Sequence, residues 1–206
     1  MLRLTAHSTI SRHMKYLLAL VITAGILIGG FFALNAYIYD EKQGEEERMT
    51  SFRIPGTALT LMYREDPYGY RADVFEPRAE DDPAFEKAVV FMLKEDFAQL
   101  QSDVPREGPP TISISVYKNE AGSAAREWAE SHPQFSNVPL MIGESRDVRF
   151  GGAQGIRYMV DGLYPMDTVI LAHDARIYIV SGAYLDENSL QRQDFGPLLD
   201  SMMFSR

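Results

Sequence analysis

From Tyr16 to Tyr39 the chain runs for 24 residues without an Asp, Glu, Lys, Arg or His. Nothing else in the sequence constrains it as strongly. At ~1.5 Å of rise per residue, a helix of that length extends about 36 Å and crosses a hydrocarbon core of ~30 Å with some tilt. Lipid offers no hydrogen-bond partners, so the backbone there must close its bonds internally, as a helix does. Residues 16–39 are therefore predicted to form one transmembrane helix.

Its flanks differ in sign. Arg3, Arg12 and Lys15 precede it without an acid, and Asp40, Glu41, Glu45, Glu46 and Glu47 follow it. Lys and Arg favour the cytoplasmic side. Residues 1–15 are thus expected in the cytoplasm and the rest of the chain outside, in a single-pass protein of the cell membrane. Tyr16, Tyr37 and Tyr39 suit the two interfaces, with rings in lipid and hydroxyls among headgroups. The alternative is a cleaved signal peptide. The apolar run exceeds the usual ~7–15 residues of such a peptide, and Ala36, the best small-residue exit, has bulky Leu34 two positions before it. A retained anchor is the preferred reading. Within the span, Gly25 and Gly29 stand four apart with Ala33 on the same face, a surface for a weak dimer.

The net charge of −9 is unevenly placed: +3 over residues 1–39, −3 over 40–50 and −9 over 51–206. An acidic module repels phosphate backbones, which excludes nucleic acid as a partner class. It is also repelled by anionic lipid, which favours a domain standing away from the bilayer. The chain has no cysteine, so acylation, disulfides, thiolate catalysis and Cys-ligated zinc are excluded.

Residues 40–50 read as a charged linker and 51–206 as one domain beyond the membrane. Strands are predicted at 59–63 and 70–75 around the turn Asp66-Pro67-Tyr68-Gly69. Residues 85–100 fit a long amphipathic helix by spacing, yet 89–93 is a continuous apolar run. A buried strand followed by a short helix to Gln101 is the preferred reading. Ile112, Ile114 and Val116 alternate with polar partners as a half-buried strand should. Ser123 is placed as the cap of a helix reaching Ser131 and ended by Pro133. Gly151-Gly152 and His173-Asp174-Ala175 each read as the turn of a hairpin. Near the C-terminus, Gly196-Pro197 predicts two short helices, or one starting at Pro197. The fold class expected is α+β, an antiparallel sheet flanked by helices.

Candidate sites are weak. His7 and His13 precede the span, which leaves His132 and His173. His173-Asp174 has the composition of half a metal site or of an oriented base, but a polar turn explains it better. Asp161 and Asp167 bracket a loop that a divalent ion could use; a solvated loop is the preferred reading, because calcium needs six or more oxygens. The run Gly151-Gly152-Ala153-Gln154-Gly155 has a phosphate cradle's composition, but strand follows it where a nucleotide loop needs a helix. Ser181 before Gly182 reads as close packing and not as a nucleophile. Trp128, Tyr117, Phe135 and Tyr158 could line a pocket, though core is the commoner fate of such residues. No residue is assigned a catalytic, cofactor-binding or metal-binding role.

Several phrases stand out together: residues 108–117 (GPPTISISVY), Glu127-Trp128, residues 151–158 (GGAQGIRY), the hairpin from His173 to Tyr178, and the ending from Phe195 through Leu199-Asp200-Ser201-Met202-Met203-Phe204. They resemble the PsbP-like superfamily, which includes an extrinsic photosystem II subunit and a Ran-binding import factor. The resemblance implies a PsbP-like α/β/α sandwich over about 51–206, and a protein-binding or accessory role, not an enzyme. Photosystem and Ran binding do not carry over, because fold alone does not fix function. The expectation is a membrane-anchored, non-catalytic domain binding an unidentified protein of an envelope complex. A ligand- or metal-binding sensor or chaperone is the alternative.

Overall fold

The structure is a computed structural model, and it describes residues 48–100 and 107–205. The predicted span 16–39, its orientation, Gly25 and Gly29, residues 40–47 and Gln101 lie outside the described residues. Among the described residues no helix is long and apolar enough to cross a membrane.

Among the described residues, ten strands make two antiparallel sheets. The smaller has the order β1-β2-β10, from β1 (Met49–Arg53), β2 (Leu59–Arg64) and β10 (Met203–Phe204). Thus β1 begins inside the stretch read as linker. Its Phe52 packs edge-on to Tyr63 and Phe91, which draws the segment onto the core. The larger sheet runs β3-β4-β5-β9-β8-β7-β6. Its strands are β3 (Tyr70–Phe75), β4 (Phe85–Leu93), β5 (Ile112–Lys118), β6 (Met141–Phe150), β7 (Ala153–Asp161), β8 (Pro165–His173) and β9 (Arg176–Ala183). Residues 85–93 are strand because Val89, Phe91 and Leu93 alternate into the core, Val89 opposite Ile114 and Phe91 opposite Ile112. The short helix α1 (Lys94–Leu100) follows directly.

The large sheet is covered on both faces. Against one lie β2 and the C-terminal helix α4 (Leu190–Asp200), closing a core of Leu59, Leu61, Phe91, Ile114, Val180, Phe195 and Leu199. Against the other lie α2 (Ala125–Ser131) and the single turn α3 (Pro133–Ser136), with Trp128, Ile156, Tyr158, Ile170 and Ile177 beneath them. Central strands buried on both faces lose the alternating pattern: 169–171 and 177–180 are buried without interruption.

Two expectations about helices, at Ser123 and at Gly196-Pro197, are corrected. Ser123 does not cap α2. The residue before the helix is Ala124, without a side-chain cap, while Ser123 is held in the preceding loop by both amide atoms of Asn119, at 2.9 and 3.0 Å. Pro133 does more than end α2, since it opens α3, where its missing N–H costs nothing. Gly196-Pro197 does not divide the last helix, as α4 is continuous with Pro197 inside it. A proline in a helix interior costs ~3 kcal/mol. Burial of Phe195, Leu198 and Leu199 contributes about 1.5–3 kcal/mol each and outweighs it.

The strict antiparallel order gives the domain two ends. At the entry end lie the starts of β1, β3, β5, β6 and β8 and the ends of β2, β4, β7 and β9. At the opposite end lie the turns Gly151-Gly152 and Asp174-Ala175, with Phe204 against His173.

Candidate functional site

The residues singled out in the sequence do not converge on one place. His173 closes β8 at the opposite end, its Nε2 3.1 Å from the Asp174 carboxylate and its ring 4.2 Å from the Phe204 ring centroid. The turn reading holds for Asp174 and Ala175, both exposed with φ of 46° and 55°. The histidine itself is half-buried. Among the described residues, no three His, Cys, Asp or Glu side chains gather where they could hold a metal ion.

Asp161 and Asp167 part company. Asp161 is exposed at the end of β7. Asp167, read in the sequence as part of a solvated loop, is only 3% exposed within β8 and faces α4. Arg157 Nε donates to its Oδ1 at 2.8 Å, and a second bond runs from Arg157 to Oδ2. Arg192 on α4 adds a bond to Oδ2 at 3.1 Å and reaches Glu187 at 2.9 Å. Two guanidiniums thus neutralise one buried carboxylate and occupy three of its four acceptor positions, and their positive charge opposes a cation there. The hydrogen bond to Asp167 is the main cause that raises the Arg157 pKa, against the lowering effect of burial. The sequence missed this cluster because its arginines stand ten positions before the acid and 25 after it, a spacing no local motif marks.

The glycine run is a hairpin. Gly151 and Gly152 take φ of 57° and 90°, as a two-residue turn between twisted strands requires. Gly155 lies in β7, where a Cβ would come within 1.9 Å of the Ile170 carbonyl oxygen. Ser181 faces Thr168 at 3.4 Å between the hydroxyls, and the Cβ that Gly182 lacks would fall 2.5 Å from the Phe195 ring. Close packing is therefore what this pair records.

The aromatic group is core. Tyr117 lies 5.3 Å from Trp128 and 4.9 Å from Phe135 between ring centroids, and the Tyr158 hydroxyl donates to the Ser136 carbonyl. His132 stacks on Trp128 at 4.3 Å. Burial pushes the Tyr117 and Tyr158 hydroxyls up.

Two concavities have no counterpart in the sequence reading. One, of about 260 Å³, lies between β2 and α4, walled by Met49, Met62, Tyr70 and Pro197. Arg64 Nη2 donates to Asp194 there at 3.0 Å, and Tyr70 is pushed up by burial and then by the Asp194 charge. The other is an open groove of about 840 Å³ between the start of α2 and the β6–β7 hairpin. Arg126 crosses it to Asp147 at 2.8 Å, and Arg149 and Gln154, directly opposite across the strands, line its floor. Sites assembled from positions 20 to 130 residues apart carry no local signature.

Neither a protein-family profile nor a curated protein matches this chain. Among solved structures, the solution structure of cyanobacterial PsbP (CyanoP) from Synechocystis sp. superposes with a TM-score of 0.50 at 9% identity, covering 79% of this chain and 95% of that one. The fold is PsbP-like. A crystal structure from Bacteroides thetaiotaomicron is also similar, with a TM-score of 0.44 at 15% identity over 76% of this chain and 48% of that one. The PsbP-like fold accounts for the two-faced cover of the large sheet, and it says nothing by itself of what the domain binds.

Proposed function

We propose that residues 48–205 form a non-catalytic accessory domain that binds a protein partner. The apolar segment 16–39 holds it outside the cytoplasm as a single pass with the N-terminus inside. The observation carrying the accessory, non-catalytic part of this reading is the PsbP-like fold, similar over 95% of the cyanobacterial PsbP chain, while the apolar segment 16–39 supports the anchor. Consistent with a scaffold, several partly buried charges are engaged with one another: Arg157 and Arg192 with Asp167, Arg64 with Asp194, Arg176 with Glu86. The test is crosslinking in intact membranes followed by purification of the full chain. One defined protein should be recovered with the full chain and lost when residues 51–206 are removed. Recovery of none, or of the same set without the domain, overturns it. Protease added outside spheroplasts should digest residues beyond Asp40, and protection until lysis would reverse the orientation.

The open groove favours a second reading, a small-ligand sensor or chaperone, because Arg149 there makes no ion pair among the described residues. Calorimetric titration with small carboxylic acids decides it: saturable binding abolished by Arg149→Ala supports the sensor.

A further inference from the structure

The exposed apolar side chains of the domain are unevenly placed. Met49, Tyr68, Leu140, Ile142, Leu163 and Leu185 are between 42% and 69% exposed. All six lie at the entry end. Met49 opens β1, Tyr68 stands just before β3, and Leu140 and Ile142 flank the first residue of β6. Leu163 is in the β7–β8 turn and Leu185 follows β9. Val74, Phe75 and Met203, the other large exposed apolar residues among those described, lie towards the opposite end, paired with Val89, Ala88 and Thr60. Exposed acids stand at the same end: Glu107, Glu144, Asp161 and Asp186. Glu107 is brought there by the next residue, whose carbonyl accepts from the Tyr164 hydroxyl in the β7–β8 turn at 3.0 Å.

We propose that the entry end is the docking face of the domain, and that its partner is a membrane-held protein whose contacting surface sets apolar side chains among Lys and Arg. The proposal rests on the anchored reading above. Residues 40–47 are all that separate the apolar segment from the first described residue, and fully extended they reach only about 30 Å. On that reading the tether joins the domain at this end, beside Met49, within reach of other proteins held in the same membrane. Exposed apolar side chains and charged ones together at one end are the composition of a protein interface, which combines apolar contacts with polar ones. The sign of the charge selects the partner. Four acids repel the anionic headgroups that bare lipid would present, and they attract a basic protein surface.

A photoreactive benzoylphenylalanine placed at Leu163, at Leu185 or at Phe75 of the full chain, illuminated in intact membranes, tests this. Leu163 and Leu185 should give the same single protein adduct, at least about fivefold above Phe75, as expected of a contact at one face. Asp161→Lys with Asp186→Lys should lower that adduct about tenfold, and raised salt should weaken it in the parent chain. Both acids are exposed, so an unchanged thermal midpoint of the double variant excludes unfolding as the cause. Adducts with lipid alone, or with a second copy of this chain, overturn the proposal, as does an adduct indifferent to charge reversal. A protein adduct stronger from Phe75 moves the docking face and leaves the accessory role standing. No protein adduct from any of the three positions removes both.

Discussion

Ala175 carries an uncomfortable backbone for its type, since φ of 55° brings its Cβ against the following carbonyl. It persists because the two-residue turn between β8 and β9 demands positive φ at both positions and because Asn119 N donates to its carbonyl at 2.7 Å. Ala175→Gly should therefore stabilise the domain by about 0.5–1 kcal/mol in urea unfolding, the relief of strain exceeding the extra freedom of the unfolded chain. A loss of stability would show that the methyl group makes a contact worth more than the strain. His173, two positions earlier, reads in the sequence as part of a polar turn. Its ring lies on Phe204, so His173→Ala should cost about 0.5–1.5 kcal/mol, a ring contact's worth. Equal stability of the variant would return it to an ordinary turn residue.

At the scale of elements, α4 is the piece whose position most needs explaining. It contains Pro197 and has Gly196 beside it, yet Asp194 accepts from Arg64 on β2 and Gln191 donates to the Pro110 carbonyl. Asp167 on β8 accepts from Arg157 on β7 and from Arg192 on α4, so one buried carboxylate joins two strands to the helix. Asp167→Asn removes the charge and leaves two guanidiniums facing each other with little solvent. A loss of about 3–5 kcal/mol is expected in thermal or urea unfolding, as when one member of a buried pair is deleted. If the variant loses less than 1 kcal/mol, water reaches the cluster and the pair is no more than a surface bridge. Replacing Ile114, fully buried between β4 and β9, by Ala should cost about 2–5 kcal/mol for the cavity left behind.

Over the whole domain, burial has one collective electrostatic consequence. The hydroxyls of Tyr70, Tyr117, Tyr158 and Tyr178 all titrate above the ordinary tyrosine value, with burial the largest cause in each. In the unfolded chain they ionise near pH 10, while the folded domain holds them neutral. Stability from this source is complete below about pH 10 and is lost as the pH rises through the folded values, by up to ~1.4 kcal/mol per pH unit for each hydroxyl. The urea midpoint should hold steady from pH 8 to 9.5 and fall steeply by pH 11. A flat midpoint to pH 11 would mean that the hydroxyls ionise without unfolding.

The sequence by itself determined whatever depends on neighbours along the chain. The alternation of Ile112, Ile114 and Val116, the paired glycines 151 and 152 and the polar turn after His173 are local signals, and each stands where it was expected. The α+β class followed from their order. Tertiary structure alone decided what depends on competition between distant groups. It settled 85–93 as a strand, the preferred of the two sequence readings, since the apolar run 89–93 pairs with β5 and buries Val89, Phe91 and Leu93 there, although helical spacing also fitted. It carried α4 through Pro197, because burial of three large side chains exceeds the cost of one missing bond. It turned Asp167 from a loop acid into the centre of an ion cluster and drew six scattered apolar residues to one end of the sheet. Contacts like these are made between residues tens of positions apart, so their energies exist only once the sheet has closed and leave no pattern in the sequence to read.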